Sequence, residues 1–285
     1  MDRQELFNGE MEIFKKFRLD GKIAIITGGA GLLGVQHAEV IAEAGSIPIL
    51  WDINAPEAAA QAERIASRYR IEAMGLEVDI TSPAAVKAGL DEVVSHFGRV
   101  DILINNAAND PKVMADAKPA WSRLENFPVE MWLDDLAVGL TGAFLCSKEV
   151  GNYMARHGGG VILNIASDLA VIAPDQRIYR QDGMEEDQQP VKPVTYSVVK
   201  HGLIGLTKYL ATYWADKGVR VNALSPAGVF NHQPEAFVRK LTNLIPLGRM
   251  AVLDEYKAAV LFLVSDASAY MTGANMIMDG GRSVW

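Results

Sequence analysis

Short, unbroken apolar runs alternate with segments of helical hydrophobic spacing along most of this 285-residue chain. Apolar runs of this kind predict strands buried on both faces, and here they cover residues 22–27, 47–51, 72–78, 101–104, 160–165, 219–223 and 275–278. Helical spacing covers residues 32–44, 56–69, 83–97, 129–154, 195–216, 235–243 and 254–263. Repeated strand–helix units predict a single α/β domain with a doubly wound, mainly parallel sheet of seven strands.

Three segments fit neither pattern. Residues 1–18 predict an N-terminal arm that packs on the domain or on a neighbouring subunit, in preference to a membrane-contacting helix. Residues 19–285 form the predicted domain, and residues 109–128 and 174–193 are long loops within it. Because long loops in compact domains are usually lids or binding loops, we expect residues 174–193 to be an insertion at the active site.

Composition narrows the range of partners and compartments. The net charge of −8 and the absence of a Lys/Arg tract disfavour nucleic acid and anionic membranes as partners. No apolar run approaches the roughly 20 residues that a membrane span needs. Cys146 is the only cysteine, so an intramolecular disulfide and a Cys-based metal cluster are excluded, and we expect a cytoplasmic protein without a metal. Its apolar surroundings favour a buried packing residue over a catalytic thiol.

A glycine-rich loop follows the first predicted strand and opens the first long helix. Gly28, Gly31 and Gly34 are spaced three apart, and Leu33 lies at the predicted helix N-terminus. Glycines allow the tight turn and the close approach of a pyrophosphate, which the N–H groups and dipole of a helix N-terminus then bind. We therefore predict that these four residues contact a dinucleotide in a Rossmann-type domain.

Polar residues at the ends of the next strands extend this predicted site. Asp52 follows the second strand, where a carboxylate accepts hydrogen bonds from the adenosine ribose and repels a 2′-phosphate, so NAD is predicted in preference to NADP. Ligands of open parallel sheets bind at the carboxyl ends of strands. The further candidates at such ends are Asp79, Ile80, Asn106 and Ala107.

Tyr196 and Lys200 lie four residues apart on a predicted helix and therefore share a face. A nearby ammonium favours the phenolate form of a tyrosine, which makes the phenol a usable acid or base near neutral pH. Ser167, at the end of the fifth strand, is a candidate donor that polarises a substrate oxygen. This trio predicts proton transfer that accompanies hydride transfer to or from a nicotinamide.

The motifs ITGGAGLLG, VDIT, NNAA, ILNIAS, YSVVK, RVNALSPAGV and MDGG fall in the order of the short-chain dehydrogenase/reductase family. The chain resembles the classical branch of that family over residues 19–282. The resemblance implies that Tyr196 is the acid/base, that Lys200 holds the nicotinamide ribose, that Ser167 orients the substrate, and that Val229 contacts the carboxamide. It also implies a homodimer or homotetramer. The sequence is also similar to that of family members in bacterial flagellin-glycan and nonulosonic-acid pathways.

Two of the chain's departures from the family pattern concern the proton relay and the loop before Tyr196. Gly139 stands where the family has a helix asparagine that helps hold a water in the proton relay. Ser167 and Tyr196 lie 29 residues apart, further than is usual, because of the loop at residues 174–193. Arg177 and Arg180 in this loop either bind an anionic group of the substrate or only keep a solvated lid soluble.

Three functions are compatible with this pattern. The first is an NAD(P)-dependent oxidoreductase that acts on a secondary alcohol or ketone, with a sugar derivative as the expected substrate. The second is a reductase of acyl-thioester or other ketones, which the polar loop disfavours. The third is a dinucleotide-binding protein without turnover, for which Gly139 is the best argument and the intact trio of Ser167, Tyr196 and Lys200 the counter-argument.

Overall fold

The computed structural model describes residues 12–109 and 121–285. All the strands of this part of the chain form one seven-stranded sheet in the order β3-β2-β1-β4-β5-β6-β7. Every pairing is parallel, so the predicted mainly parallel α/β sheet is confirmed and is parallel throughout. The strands are β1 Ile23–Thr27, β2 Ile47–Asp52, β3 Met74–Glu77, β4 Ile102–Asn105, β5 Gly160–Ile165, β6 Val219–Pro226 and β7 Asn275–Met278.

Helices connect the strands and cover the sheet. They are α1 Glu12–Lys15, α2 Leu32–Glu43, α3 Ala55–Tyr69, α4 Pro83–Phe97, α5 Val129–Leu136, α6 Ala143–Arg156, α7 Val194–Tyr213, α8 Glu235–Thr242 and α9 Lys257–Val264. The sequence predicted one helix over residues 129–154. The structure instead places a π-helical segment, Ala137–Gly142, between α5 and α6.

The core lies on both faces of the sheet, as unbroken apolar strands require. In β1, Ala24 and Ile26 belong to a cluster on one face, and Ile23 and Ile25 belong to a cluster on the other. All five residues of β1 are buried. Trp51, the largest of the fully buried side chains, lies on the same face as Ile25. Helices therefore pack on both sides, and the carboxyl edge of the sheet is left for a site.

The chain reverses its direction of winding between β1 and β4, which are neighbours in the sheet. Ile26 of β1 pairs with Ile104 of β4, and Ile104 pairs in turn with Leu163 of β5. The loops that follow these three strands therefore leave the same edge side by side. Such a switch point is where open parallel sheets bind ligands.

The predicted N-terminal arm and the loop at residues 109–128 lie partly outside the described residues, which exclude 1–11 and 110–120. Within the described part of the arm, the backbone carbonyl of Lys16 accepts a hydrogen bond of 3.0 Å from the backbone N–H of Ala267. No helix within residues 12–109 and 121–285 is long and apolar enough to cross a bilayer.

Candidate active site

The loop between β1 and α2 has glycines where its backbone approaches other chain segments closely. Gly28 has a φ of +60°, and a Cβ there would lie 2.9 Å from the Cα atom of Ala107. A Cβ on Gly34 would overlap the carbonyl oxygen of Gly28. The N-cap of α2 is Gly31, which has no side-chain oxygen to offer the first N–H groups of the helix. These N–H groups and the positive end of the helix dipole therefore fit a pyrophosphate.

Hydrogen bonds join this glycine loop to the end of β4. The hydroxyl oxygen of Thr27 accepts from the backbone N–H groups of Asn106 and Ala107, at 3.0 and 3.1 Å. The side-chain amide of Asn106 donates to the carbonyl oxygens of Thr27 and Gly28, at 3.0 and 3.1 Å. Asn106 and Ala107 thus lie against the glycine loop through Thr27, whose role the sequence did not indicate, and their contact with a dinucleotide stays a prediction.

Asp52 is fixed at the carboxyl end of β2, beside the glycine loop. One carboxylate oxygen accepts from the backbone N–H of Ala30 at 3.1 Å, and the other accepts from that of Asn54 at 3.0 Å. Each oxygen retains capacity to accept from a ribose hydroxyl. The glycine loop, the helix N-terminus and this carboxylate together fit the adenosine diphosphate half of a dinucleotide.

Four other predicted cofactor contacts lie outside the lining of the cleft described below. Asp79 accepts from both the backbone N–H and the hydroxyl of Thr81, at 2.9 and 2.7 Å, and so stabilises the turn after β3. Ile80 is buried, and Leu33 is partly buried against the core. Val229 is buried after β6. Their contacts with a dinucleotide stay predictions.

A cleft opens at the N-terminal half of α7, beside the segment that follows β4. Tyr196 and Lys200 both line it. The ammonium of Lys200 is buried and donates a 2.9 Å hydrogen bond to the carbonyl oxygen of Ile165, the last residue of β5. This bond holds the lysine at the carboxyl edge of the sheet. The other lining residues are Ala108, Asn109, Asp135, Gly139, Lys192, Pro193, Thr195 and Val199.

Two ammonium groups lie close to the ring of Tyr196. The Nζ atom of Lys200 lies 5.8 Å from the ring centroid, and the Nζ atom of Lys192 lies 3.8 Å from it. Cations near a phenol stabilise its phenolate form and are also attracted to the face of the ring. The sequence identified Lys200 by its spacing from Tyr196, but nothing in the sequence pattern indicated Lys192.

Ser167 lies two residues beyond Ile165, the end of β5, whose carbonyl oxygen binds Lys200. Ser167 itself is not among the residues that line the cleft. Its hydroxyl donates to the carboxylate of Asp168 at 2.8 Å, and its oxygen accepts from the backbone N–H of Leu169 at 3.2 Å. Asp168 in turn forms a buried ion pair with Arg282, at 2.7 Å. The sequence missed this ion pair because its partners are 114 residues apart.

Gly139 stands at the position of the family asparagine, and a residue of α7 occupies the space beside it. A Cβ on Gly139, in the π-helical segment, would lie 2.5 Å from the Cγ1 atom of Val199. Val199 therefore occupies the space into which a larger residue at 139 would extend. A polar pair lies nearby in the lining, where the Thr195 hydroxyl donates to the buried carboxylate of Asp135.

The insertion at residues 174–193 is more ordered than its sequence suggested. It contains two short 3-10 helices, Gln176–Tyr179 and Glu186–Gln188. Ile178 is buried in an apolar cluster with Leu241 and Ile245, which lie in and just after α8. The side-chain amide of Gln189 donates hydrogen bonds to the backbone carbonyls of residues 181 and 184, in the same segment. The segment is therefore a packed wall beside α8.

The structure does not support Arg177 and Arg180 as an anion clamp. Arg177 pairs with Asp175 at 2.7 Å, and Arg180 pairs with Glu186 at 2.6 Å. All four partners belong to the insertion, and the side chains of both arginines are more than half exposed. Neither arginine lines the cleft, and the cation that does line it from this side is Lys192.

Cys146 is fully buried, and burial raises the pKa of its thiol to about 12, which confirms a packing residue and not a reactive thiol. Within residues 12–109 and 121–285, no group of three or more His, Cys, Asp or Glu side chains is placed to hold a metal ion.

Solved structures of similar fold cover almost the whole chain. A gluconate 5-dehydrogenase from Burkholderia cenocepacia J2315, in complex with NADP and tartrate, superposes with a TM-score of 0.81 at 29% identity. The alignment covers 95% of this chain and 98% of that structure.

Similar proteins of known activity cover almost the whole chain. A D-threitol dehydrogenase from Mycolicibacterium smegmatis is 37% identical over 280 residues, which is 96% of this chain and 98% of the relative. An NAD-dependent glycerol dehydrogenase from Listeria innocua serovar 6a is 31% identical over 275 residues, 95% of this chain and 97% of the relative.

Two family models together match most of the chain. The short chain dehydrogenase model matches residues 22–179, and the model described as enoyl-(acyl carrier protein) reductase matches residues 184–283. Together they span the glycine loop, Ser167, Tyr196 and Lys200. The chain thus belongs to the short-chain dehydrogenase/reductase family and is an NAD(P)-dependent dehydrogenase or reductase.

Proposed function

We propose that this protein oxidises a secondary alcohol of a polyol or sugar derivative, with NAD as its cofactor, and catalyses the reverse reduction of the ketone. One observation carries the proposal: Tyr196 and Lys200 line a single cleft at the carboxyl edge of the sheet. The glycine loop lies at the same edge. The cleft lies next to residues 106–107, which contact that loop.

Tyr196 is the acid/base of the proposed reaction. In the oxidative direction its phenolate oxygen takes the proton of the substrate hydroxyl, and in the reductive direction its hydroxyl returns that proton. Lys200, held by the carbonyl of Ile165, supplies positive charge that favours the phenolate and N–H donors for the nicotinamide ribose. Ser167 orients the substrate oxygens. The bound nicotinamide supplies the hydride acceptor or donor.

The residues around the glycine loop support NAD over NADP. Hydrogen bonds from the backbone N–H groups of Ala30 and Asn54 fix the carboxylate of Asp52, and we expect the adenosine ribose to bind beside it. A 2′-phosphate there would meet like charge. Ile53, the next residue, is exposed and uncharged, so the immediate sequence offers no cation in compensation.

The lining of the cleft supports a polar substrate. Asn109, Asp135, Lys192 and Thr195 contribute polar or charged side chains to it. Two similar proteins are named for D-threitol and glycerol, both small polyols. The narrower resemblance to flagellin-glycan and nonulosonic-acid enzymes stays a prediction.

A second candidate, reduction of an acyl-thioester ketone, rests on the description of the family model that matches residues 184–283. The same polar lining disfavours it, because an apolar acyl chain brings no hydrogen-bonding groups to these side chains. The third possibility is dinucleotide binding without turnover. Gly139 is weak support for it, because Val199 occupies the space beside that glycine and so explains why a small residue is found there.

The experiment is a spectrophotometric assay of NADH formation with D-threitol, glycerol, xylitol, mannitol and a set of sugar phosphates, run with NAD⁺ and with NADP⁺. We expect turnover of at least one polyol, faster with NAD⁺. Measurable NADH binding without turnover of any alcohol, together with reduction of acetoacetyl thioesters, would instead establish the second candidate. Binding without turnover of either class would leave a non-catalytic protein.

Assembly and location complete the proposal. The family resemblance supports a homodimer or homotetramer, which sedimentation at micromolar concentration would detect. A cytoplasmic location is supported by the single, buried Cys146, since reducing compartments do not favour disulfides.

A further inference from the structure

The ammonium of Lys192 lies over the face of the Tyr196 ring. Its Nζ atom is 3.8 Å from the ring centroid, whereas the Nζ atom of Lys200 is 5.8 Å from it. Lys192 and Tyr196 both line the cleft, and both residues are partly buried. Charges that are close together and partly buried are screened less by water and salt than exposed ones. Lys192 is therefore placed to act on the charge of the phenol.

Two hydrogen bonds and a proline hold the backbone at Lys192. The N–H of Lys192 donates to the side-chain oxygen of Gln176 at 2.8 Å, and the N–H of Val191 donates to the hydroxyl oxygen of Ser122 at 3.2 Å. Pro193 follows directly and is the N-cap of α7, with a φ of −55° that its ring fixes. The approach of the ammonium to the phenol ring thus depends on how the insertion packs.

Other charged groups face this end of α7. Lys200 lies on α7 itself, and Asp135 of α5 lines the same cleft, where its carboxylate accepts from the hydroxyl of Thr195. Asp168 lies in the short 3-10 helix after β5, which packs on α7, and forms its buried ion pair with Arg282. Asp135 opposes the effect of the two lysines on the phenol, and the charge of Asp168 is balanced by its own partner.

We propose that Lys192 stabilises the phenolate of Tyr196 and thereby sets the pH at which this protein oxidises an alcohol. The inference rests on the proposed function, in which the phenolate takes the proton of the substrate. A phenolate shares its negative charge between oxygen and ring, so a cation over the ring face stabilises it more than the neutral phenol. Lys192 acts through Tyr196, which makes it a positioning residue of the reaction.

Lys192→Met removes this charge and keeps an unbranched side chain. An opposite charge within about 4–6 Å commonly moves a pKa by one unit or more, so the phenolate of Tyr196 should form about one pH unit higher in the variant. The measurement is a pH titration of phenolate ultraviolet absorbance in the ligand-free protein. Subtracting the titration of the matching Tyr196→Phe protein isolates Tyr196 from the other tyrosines.

The pH profile of alcohol oxidation gives a second readout. Below the midpoint, kcat/KM follows the fraction of phenolate, so Lys192→Met should lower kcat/KM about tenfold there. At a pH above both midpoints the two proteins should be nearly equal. A lost substrate contact, or damage to the fold, would instead lower kcat/KM at every pH, and that result would contradict the inference.

Two further variants serve as matched controls. Lys192→Arg keeps a cation that stacks on aromatic rings, so its midpoint should stay within about half a unit of that of the unmodified protein. Arg180→Met removes a positive charge from the same insertion, but Arg180 pairs with Glu186 and does not line the cleft, so its midpoint should not move. Thermal unfolding verifies the fold of each variant, and Lys192→Gln replaces Lys192→Met if that variant is unstable.

The titration needs no substrate, so the inference and the proposed function fail separately. An unchanged midpoint in the neutral variant at position 192, or an equal shift in Arg180→Met, overturns the inference whether or not the protein turns over a polyol. A midpoint that moves upward only when the charge of Lys192 is removed supports it. Absence of turnover with every alcohol overturns the proposed function, even where the phenolate responds to Lys192.

Discussion

Replacing His37 should remove a large part of the acid sensitivity of this protein. His37 lies on α2, three residues past Gly34 of the glycine loop, and is 1% exposed. Neither ring nitrogen has a well-formed hydrogen bond among the described residues, and the side-chain amide of Asn106 offsets the effect of burial on the pKa only in part. Burial therefore disfavours the charged imidazolium and lowers the pKa of His37 from 6.5 to about 4.

The magnitude follows from linkage. Between pH 6.5 and 4 the unfolded chain binds a proton at His37 that the folded protein does not bind, so the free energy of unfolding falls as the pH falls through this window. Above pH 6.5 the contribution is fully present. The difference between the unfolded and folded pKa values of His37 corresponds to about 3 kcal/mol of unfolding free energy, of which about 2 kcal/mol is lost between pH 7.5 and 5.

The assay is urea unfolding of the unmodified protein and of His37→Leu at half-unit steps from pH 7.5 to 5. The difference in unfolding free energy between the two should shift by about 2 kcal/mol across this range in favour of the variant. Val40→Ala, on the same helix, should lower stability without altering the slope, because no titrating group changes. A difference that stays constant with pH for His37→Leu would show that the pKa of His37 is not lowered in the folded protein.

Three further predictions concern the site. Gly139→Ala should lower the free energy of unfolding by about 1–3 kcal/mol, because the new Cβ would lie 2.5 Å from Val199; Val199→Ala should relieve most of this loss, and additive effects in chemical unfolding would contradict it. Asp52→Ser should raise the ratio of kcat/KM for NADP⁺ over NAD⁺ at least about fivefold, by removing like charge near a 2′-phosphate, and an unchanged ratio would count against the cofactor assignment. Arg177→Ala and Arg180→Ala should leave the polyol KM within about twofold, because both arginines are exposed and paired within the insertion; a clear rise in KM would restore the anion clamp.

Strands and most helices could be predicted because their causes are local. The apolar run that ends at Thr27 is buried on both faces, and Gly31 marks the start of α2. The π-helical segment Ala137–Gly142 could not, because its i→i+5 bonding is not encoded in apolar spacing. Gly139 packs against Val199 of α7, a contact between residues 60 positions apart.

Within the candidate site, too, only the local arrangements could be predicted from the sequence. Tyr196 and Lys200 were identifiable because i, i+4 spacing on a helix fixes their shared face. The ion pair of Asp168 and Arg282 joins distant parts of the chain, and no short-range pattern reveals it. Lys192 could not be placed because its approach to Tyr196 depends on how the insertion packs.

Whether Tyr196 transfers the proton in polyol oxidation is tested by Tyr196→Phe, assayed on the polyol that the unmodified protein turns over best. We predict a fall in kcat of about a hundredfold or more, with NADH binding retained. Tyr209→Phe, on the exposed face of the same helix, should keep its rate. Full activity in Tyr196→Phe would show that another group transfers the proton.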